Sequence, residues 1–253
     1  MSRFETIRVD AGGDGIATVT LDRPDKHHAM NARMIAELTE AAASLAADAT
    51  VRAVVLAASG PSFCAGGDLE WMRAQQAADR AGKIAEAGRL SAMLAALDAM
   101  PKPLIARVQG NVYGGGLGLV AVCDLAVGAD GIRFALTETR LGLIPATIGP
   151  FVVRRMGPGM ARQVFFSGIA FGPDLALRSG LLHEVCAPDA LDARVRRLTE
   201  AVLKTAPGAV AAAKALCLGL GGDPAADIRI SIEALADRWE SDEAQERIRA
   251  FLG

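Results

Sequence analysis

Hydrophobic and polar positions change period several times along the chain. Residues 16–21, Ile-Ala-Thr-Val-Thr-Leu, alternate with a period of two and are rich in β-branched side chains, which predicts a half-buried strand. Asp22 to Asp25, carrying Pro24, ends it as a turn. From Asn31 the period lengthens. Met34, Ile35, Leu38, Ala41, Ala42 and Leu45 fall on one helical face, and Asn31 stands where an N-cap is wanted. Ala53 to Ala58 is unbroken apolar sequence, as in a strand buried on both faces, and the loop Ser59-Gly-Pro-Ser62 follows. Residues 80–99 predict a second long helix, with Ile84, Leu90, Met93, Leu94 and Leu97 as its apolar set and Pro101 and Pro103 at its end. Leu104 to Val108 is the next buried strand. Gly110 to Gly118 is a glycine-rich turn entering a helix of small residues, and 125–127 and 133–135 are short strands. From about Pro158 the pattern is helical, punctuated at Gly172-Pro173, at Pro207-Gly208 and between Gly221 and Pro224.

Strands alternating with helices imply an α/β fold, a mostly parallel sheet covered by helices. The expected division is a core over 1–190 and a helical region over 191–253. The apolar set of that last region (Ile230, Ile232, Leu235, Trp239, Ile248, Phe251) could pack on its own domain or on a neighbour. The chain has 253 residues, enough to bury a sizeable core. Hydrophobic residues make up 51% and charged residues 22%, which excludes wholesale disorder. Lys and Arg number 27 against 29 Asp and Glu, a net charge of −2, so no basic face for nucleic acid is expected. An acidic ligand must then be held by local geometry. Cys64, Cys123, Cys186 and Cys217 show no metal-ligand spacing, so reduced thiols and no metal site are expected. Arg3, Glu5, Arg8 and Asp10 leave no apolar leader, and the run from Gly114 to Cys123 is too short to span a bilayer. A soluble, cytoplasmic protein is expected.

Three segments carry candidate chemistry. Ala65-Gly66-Gly67-Asp68-Leu69 lies between a strand and a helix; its glycines let backbone N–H groups approach a ligand, and Asp68 can cap the helix. Taken alone it reads first as an ordinary strand-to-helix turn with an N-cap. Gly114-Gly-Gly-Leu-Gly118 also leads into a helix start that could receive an anion. The dinucleotide pattern that begins at Gly116 is discounted, because the preceding strand ends near Val108, too far back for the tight turn that fingerprint needs. Glu138 is a carboxylate among apolar residues, suited to proton transfer if buried; paired to Arg133 or Arg140 at the surface it would be inert. Two N–H-donating turns beside one buried glutamate make an oxyanion hole with an acid/base group, which suits enolate chemistry without metal, nucleophile or redox cofactor.

In these motifs the chain resembles the crotonase (enoyl-CoA hydratase/isomerase) family over essentially its whole length. The resemblance is carried by Leu21-Asp-Arg-Pro24 with Ala29-Met-Asn31, Ser62 to Leu69, Pro101-Lys-Pro103, Gly110 to Gly116, Cys123-Asp124, Glu138 to Pro145 and Gly180 to Val185. It implies a ββα spiral core with a C-terminal helical region that serves oligomerisation and covers the active site. Homotrimers or homohexamers and an acyl-CoA thioester substrate are also implied. No separate cofactor is required, coenzyme A being part of the substrate. By the resemblance, Gly67 and Gly115 are the oxyanion-hole donors and Glu138 is the catalytic acid/base. Lys26, Ala29 and Met30 with Ala65, Gly66, Asp68 and Leu69 are expected to wall the coenzyme site, and Gly114, Gly118 and Thr147 to complete the substrate contacts.

Many family hydratases carry a first glutamate at the position of Gly118. Its replacement leaves hydration by Glu138 alone, Δ3,Δ2-isomerisation, or thioester binding without turnover as readings. Asp68 to Met72 and Arg140 to Ile148 are similar to methylglutaconyl-CoA and isohexenylglutaconyl-CoA hydratases, which implies a branched acyl group with a distal carboxylate. Arg140, Arg154, Arg155 and Thr147 are the candidates to meet that carboxylate. His27 and His28 are expected to face solvent, Cys64 and Cys123 to fill the core, and Asp124 to satisfy backbone N–H groups. Trp71 either shapes the acyl pocket or simply packs.

Overall fold

The structure is a computed structural model describing residues 4–220 and Asp242. Its large sheet runs in the order β1 (Ile7–Ala11), β2 (Ile16–Leu21), β3 (Ala53–Ala58), β5 (Leu104–Val108), β7 (Leu125–Ala129), β9 (Glu184–Cys186). β1 pairs antiparallel with β2, and the remaining pairs are parallel. A second, three-stranded parallel sheet is formed by β4 (Ser62–Cys64), β6 (Asn111–Tyr113) and β8 (Phe134–Ala135).

The two sheets are linked three times in the same way. β3 breaks at Ser59–Gly60–Pro61 and resumes as β4, β5 breaks at Gln109–Gly110 and resumes as β6, and β7 breaks over residues 130–133 and resumes as β8. Each pair then runs into helix: α2 (Leu69–Ala77) and α3 (Arg80–Asp98) after the first, α4 (Gly115–Ala121) after the second, α5 (Gly149–Ser167) after the third. This is the expected ββα spiral. At one break no side chain fits: a Cβ on Gly110 would lie 2.1 Å from the carbonyl oxygen of Pro61.

α1 (Ala32–Ala47) follows the predicted period, and Asn31 accepts from the Met34 N–H at 2.9 Å. The buried face includes every predicted residue and also Glu37, whose carboxylate accepts from the N–H groups of Glu5 and Thr6 and so ties the start of the chain to the helix. α3 buries Leu90, Met93, Leu94 and Leu97, but Ile84 is 60% exposed because it precedes the stretch that enters the core. α5 begins at Gly149, earlier than the sequence pattern indicates, and breaks at Gly157, where φ is 74°. α6 (Pro173–Arg178), α7 (Leu191–Leu203) and α8 (Pro207–Gly219) follow. α7 lies against β3, β5 and β7, and Arg107 on β5 pairs with Asp192 at 2.5 Å. Asp124 accepts from the Leu104 N–H and also pairs with Lys214 on α8, both at 2.7 Å. Among the described residues no single helix is long and apolar enough to cross a membrane. The expected turn between Gly221 and Pro224 and the apolar set from Ile230 to Phe251 lie outside the described residues.

Candidate active site

The small sheet assembles the site. Its strands are parallel, with Cys64 opposite Val112 and Tyr113 opposite Ala135, so all three end on one edge. β4 leads into Ala65-Gly66-Gly67, β6 into Gly114, and β8 through Leu136 and Thr137 to Glu138. The two glycine turns touch through their backbones. Gly66 has φ 94° and Gly114 φ 49°, and a Cβ on Gly66 would stand 3.7 Å from Cα of Gly114. A Cβ on Gly114 would meet Oε1 of Glu138 at 3.5 Å. Residues 66, 114 and 138 therefore converge at one point.

Met30 braces this point from below. Its N–H donates to Gly66 O at 2.7 Å, and its carbonyl accepts from the Asp68 N–H at 2.8 Å. This pairing makes a parallel bridge with Gly67 in which the neighbours of Gly67 carry the bonds, so the N–H of Gly67 is turned to the other side. The Met30 side chain is 2% exposed, and its Cε occupies the space beside Gly115, 2.2 Å from where a Cβ would be. Gly115 is the first residue of α4, and its N–H has no partner within the helix. One residue thus fixes the spacing of both N–H-bearing turns.

A second brace holds the loop over residues 26–30. Arg23 donates to the Ala29 carbonyl at 2.5 Å and pairs with Asp68 at 2.9 Å, with both side chains largely buried. Asp68 also caps α2, accepting from the N–H groups of Glu70 and Trp71. Burial opposes its charge, but the Arg23 guanidinium and the two N–H groups outweigh that and hold its carboxyl below the usual range.

Glu138 opens a short 3-10 turn that runs to Leu141. Among the described residues its Oε2 is buried with no hydrogen-bond partner. Burial pushes its pKa above the ordinary carboxylate value, while its own backbone N–H pulls weakly the other way. A carboxyl tuned upward where two glycine turns meet can exchange protons with a molecule bound there.

The remaining expected residues are placed as follows. Lys26, Ala65 and Leu69 are exposed, Ala29 is half-buried, and Met30, Gly66 and Asp68 are buried. Thr147 is half-buried, and its carbonyl accepts from the Ser91 hydroxyl at 3.2 Å. Gly118 is buried one turn into α4, where a Cβ would lie 2.6 Å from Ile148 Cγ2 and 3.1 Å from Leu94 Cδ1. Arg154 pairs with Asp98 at 2.5 Å, and Arg155 donates to the carbonyl of Ala121, at the far end of α4 from Gly115. Arg140 lies along Gly168, two residues beyond Glu138.

His27 is exposed as expected and meets Ser62 Oγ at 3.0 Å. His28 is not: it is 0% exposed. Its Nδ1 accepts from the Arg23 N–H at 3.0 Å, and its Nε2 donates to Ser59 O at 2.6 Å. Burial lowers its pKa, so it serves as a neutral spacer between two loops. Cys64 and Cys123 are buried, and burial pushes the Cys64 thiol up to about 11. Arg23 carries no local sequence signal for its bracing role, because it acts on Asp68, far along the chain.

The chain is similar to known proteins over most of its length. Residues 11–252 match the family model described as enoyl-CoA hydratase/isomerase. Crotonyl-CoA hydratase of Syntrophomonas wolfei is 30% identical over 94% of this chain and 91% of its own length. Enoyl-CoA hydratase ACTT6 of Alternaria alternata is 32% identical over 80% of this chain, which spans 66% of that protein. The crystal structure of an enoyl-CoA hydratase from Shewanella pealeana superposes with a TM-score of 0.95 at 34% identity, covering 99% of this chain and 94% of that one.

Proposed function

The chain belongs to the enoyl-CoA hydratase/isomerase family, and from that premise we propose that it hydrates a 2-enoyl-CoA thioester with Glu138 as its single acid/base group. The observation that carries the reading is the buried, unpartnered Oε2 of Glu138 where the two glycine turns meet. The N–H groups of Gly67 and Gly115 receive the thioester oxygen. Glu138 takes a proton from water as the water oxygen bonds to C3, and the electron pair of the double bond moves through C2 to the thioester oxygen. Glu138 then returns that proton to C2. The two donors together contribute several kcal/mol to enolate stabilisation, each lost donor in such sites costing about 10²–10³ in rate.

The finer substrate is a branched, glutaconyl-type acyl group, supported by Asp68 to Met72 and Arg140 to Ile148. Arg154 and Arg155 are engaged at the far end of α4, which leaves Arg140 and Thr147 as the groups to meet a distal carboxylate. Gly118 favours a second reading. Ile148 and Leu94 fill the space a first glutamate would take, so Glu138 could instead move a proton between C2 and C4 as an isomerase. A coenzyme-binding protein without turnover is the third.

Mixing the protein with 3-methylglutaconyl-CoA in heavy-oxygen water, while following the conjugated enoyl absorbance, separates them. Loss of absorbance with label in the product is the expected result. Unlabelled product with a shifted double bond would make it an isomerase, and thioester binding without any product would make it a binding protein. Glu138→Gln should lower kcat by about 10²–10⁴ while thioester affinity survives. Retention of full rate would sink the mechanism.

A further inference from the structure

The first glycine turn has a side wall that the reaction above does not use. A Cβ on Gly67 would stand 3.5 Å from Cζ3 of Trp71 and 3.4 Å from Cγ of Met72, so these side chains close that side of the turn. The opposite edge of the indole reaches α3, where Nε1–H donates to Glu86 Oε2 at 3.2 Å. Glu86 is 15% exposed and is paired in turn with Arg89, three residues further along the helix. The indole is therefore a strut between the turn and α3.

Glu86, Leu90 and Leu94 follow one another at i, i+4 spacing and share a helix face. Leu90 and Leu94 are buried, and Leu94 abuts Gly118 beside Ile148. The strut thus stands on the same face of α3 that closes over α4. An indole tied by a charge-assisted hydrogen bond does not swing aside to admit a longer chain.

We propose that Glu86 is a positioning residue that holds Trp71 against Gly67 and thereby sets an upper limit on the acyl chain the site accepts. The inference rests on the thioester reading above but not on which reaction follows. Affinities for saturated butanoyl-, hexanoyl- and decanoyl-CoA test it by calorimetry, with no turnover required. The wild-type protein should bind butanoyl-CoA at least about tenfold more tightly than decanoyl-CoA, a discrimination typical of a closed apolar pocket. Trp71→Phe, which removes the indole N–H, and Glu86→Leu should both bring that ratio within about threefold. Glu86→Gln keeps an oxygen that accepts from the indole and should restore the wild-type ratio. A variant with a damaged fold weakens all three ligands together and unfolds at a lower temperature, so the ratio is read on Trp71→Phe and Glu86→Leu proteins whose melting matches the wild type. An unchanged ratio in both Trp71→Phe and Glu86→Leu overturns the proposal. If the wild-type protein binds none of the three, the thioester reading itself falls, and this inference with it.

Discussion

Glu138 holds its carboxyl out of water, which costs stability and yields a tuned proton carrier. An acid whose folded-state pKa is raised supports the fold while protonated and loses that support as pH rises through the folded value. Glu138→Gln should therefore unfold at higher denaturant than the wild type at neutral pH. The gap should close below the ordinary carboxylate range, where both side chains are neutral; a gap that persists there would mean the gain comes from packing. The same shift predicts that kcat/KM of the wild type falls on the acid side at a pH above that range, because the free enzyme needs the ionised form to accept a proton. An acid limb at ordinary carboxylate pH would show Glu138 solvated in solution. His28 makes the opposite point. Its two ring nitrogens are both used by backbone groups, so burial makes it a structural residue despite its place in the expected coenzyme loop.

Among the elements, α4 decides how many carboxylates the site can hold. It is a glycine-rich helix, and at Gly118 it packs so closely under Ile148 and Leu94 that a Cβ would lie 2.6 Å from one and 3.1 Å from the other. Gly118→Glu should not convert the site to a two-glutamate hydratase. It should destabilise the protein by about 1–3 kcal/mol from overpacking, with more lost if the carboxylate stays charged and unpaired, read as a lower urea midpoint. A variant of undiminished stability and raised turnover would show that Ile148 yields readily. β2 and α1 were legible because periodicity over six or more residues is a strong signal, and β3 because a six-residue apolar run ahead of a turn marks a strand buried on both faces. β4, β6 and β9 have three residues each, too few to show a period, and β1 carries Arg8 and Asp10 along an edge.

At the scale of the whole molecule, the segment after Glu138 is packed on the end of α5 through the Thr139 hydroxyl and the Phe165 carbonyl. Leu141, Leu143 and Ile144 on that segment and Phe166 and Ile169 beyond it are exposed. An apolar surface of this kind suits burial against another copy of the chain, as the expected trimer or hexamer requires. Sedimentation should give a mass of three or six chains, and Ile169→Glu should lower it; a monomeric wild type would dismiss the assembly. The candidate site shows what each level of information supplied. Sequence by itself determined the glycine turns, the lone glutamate, the long elements and their α/β order, because these depend on local backbone freedom, residue chemistry and short-range period. Tertiary structure alone decided that the ends of β4, β6 and β8 meet, that Met30 and Arg23 brace the turns, and that Gly118 has no room for a side chain. Those facts depend on contacts between residues far apart along the chain, which no local pattern encodes.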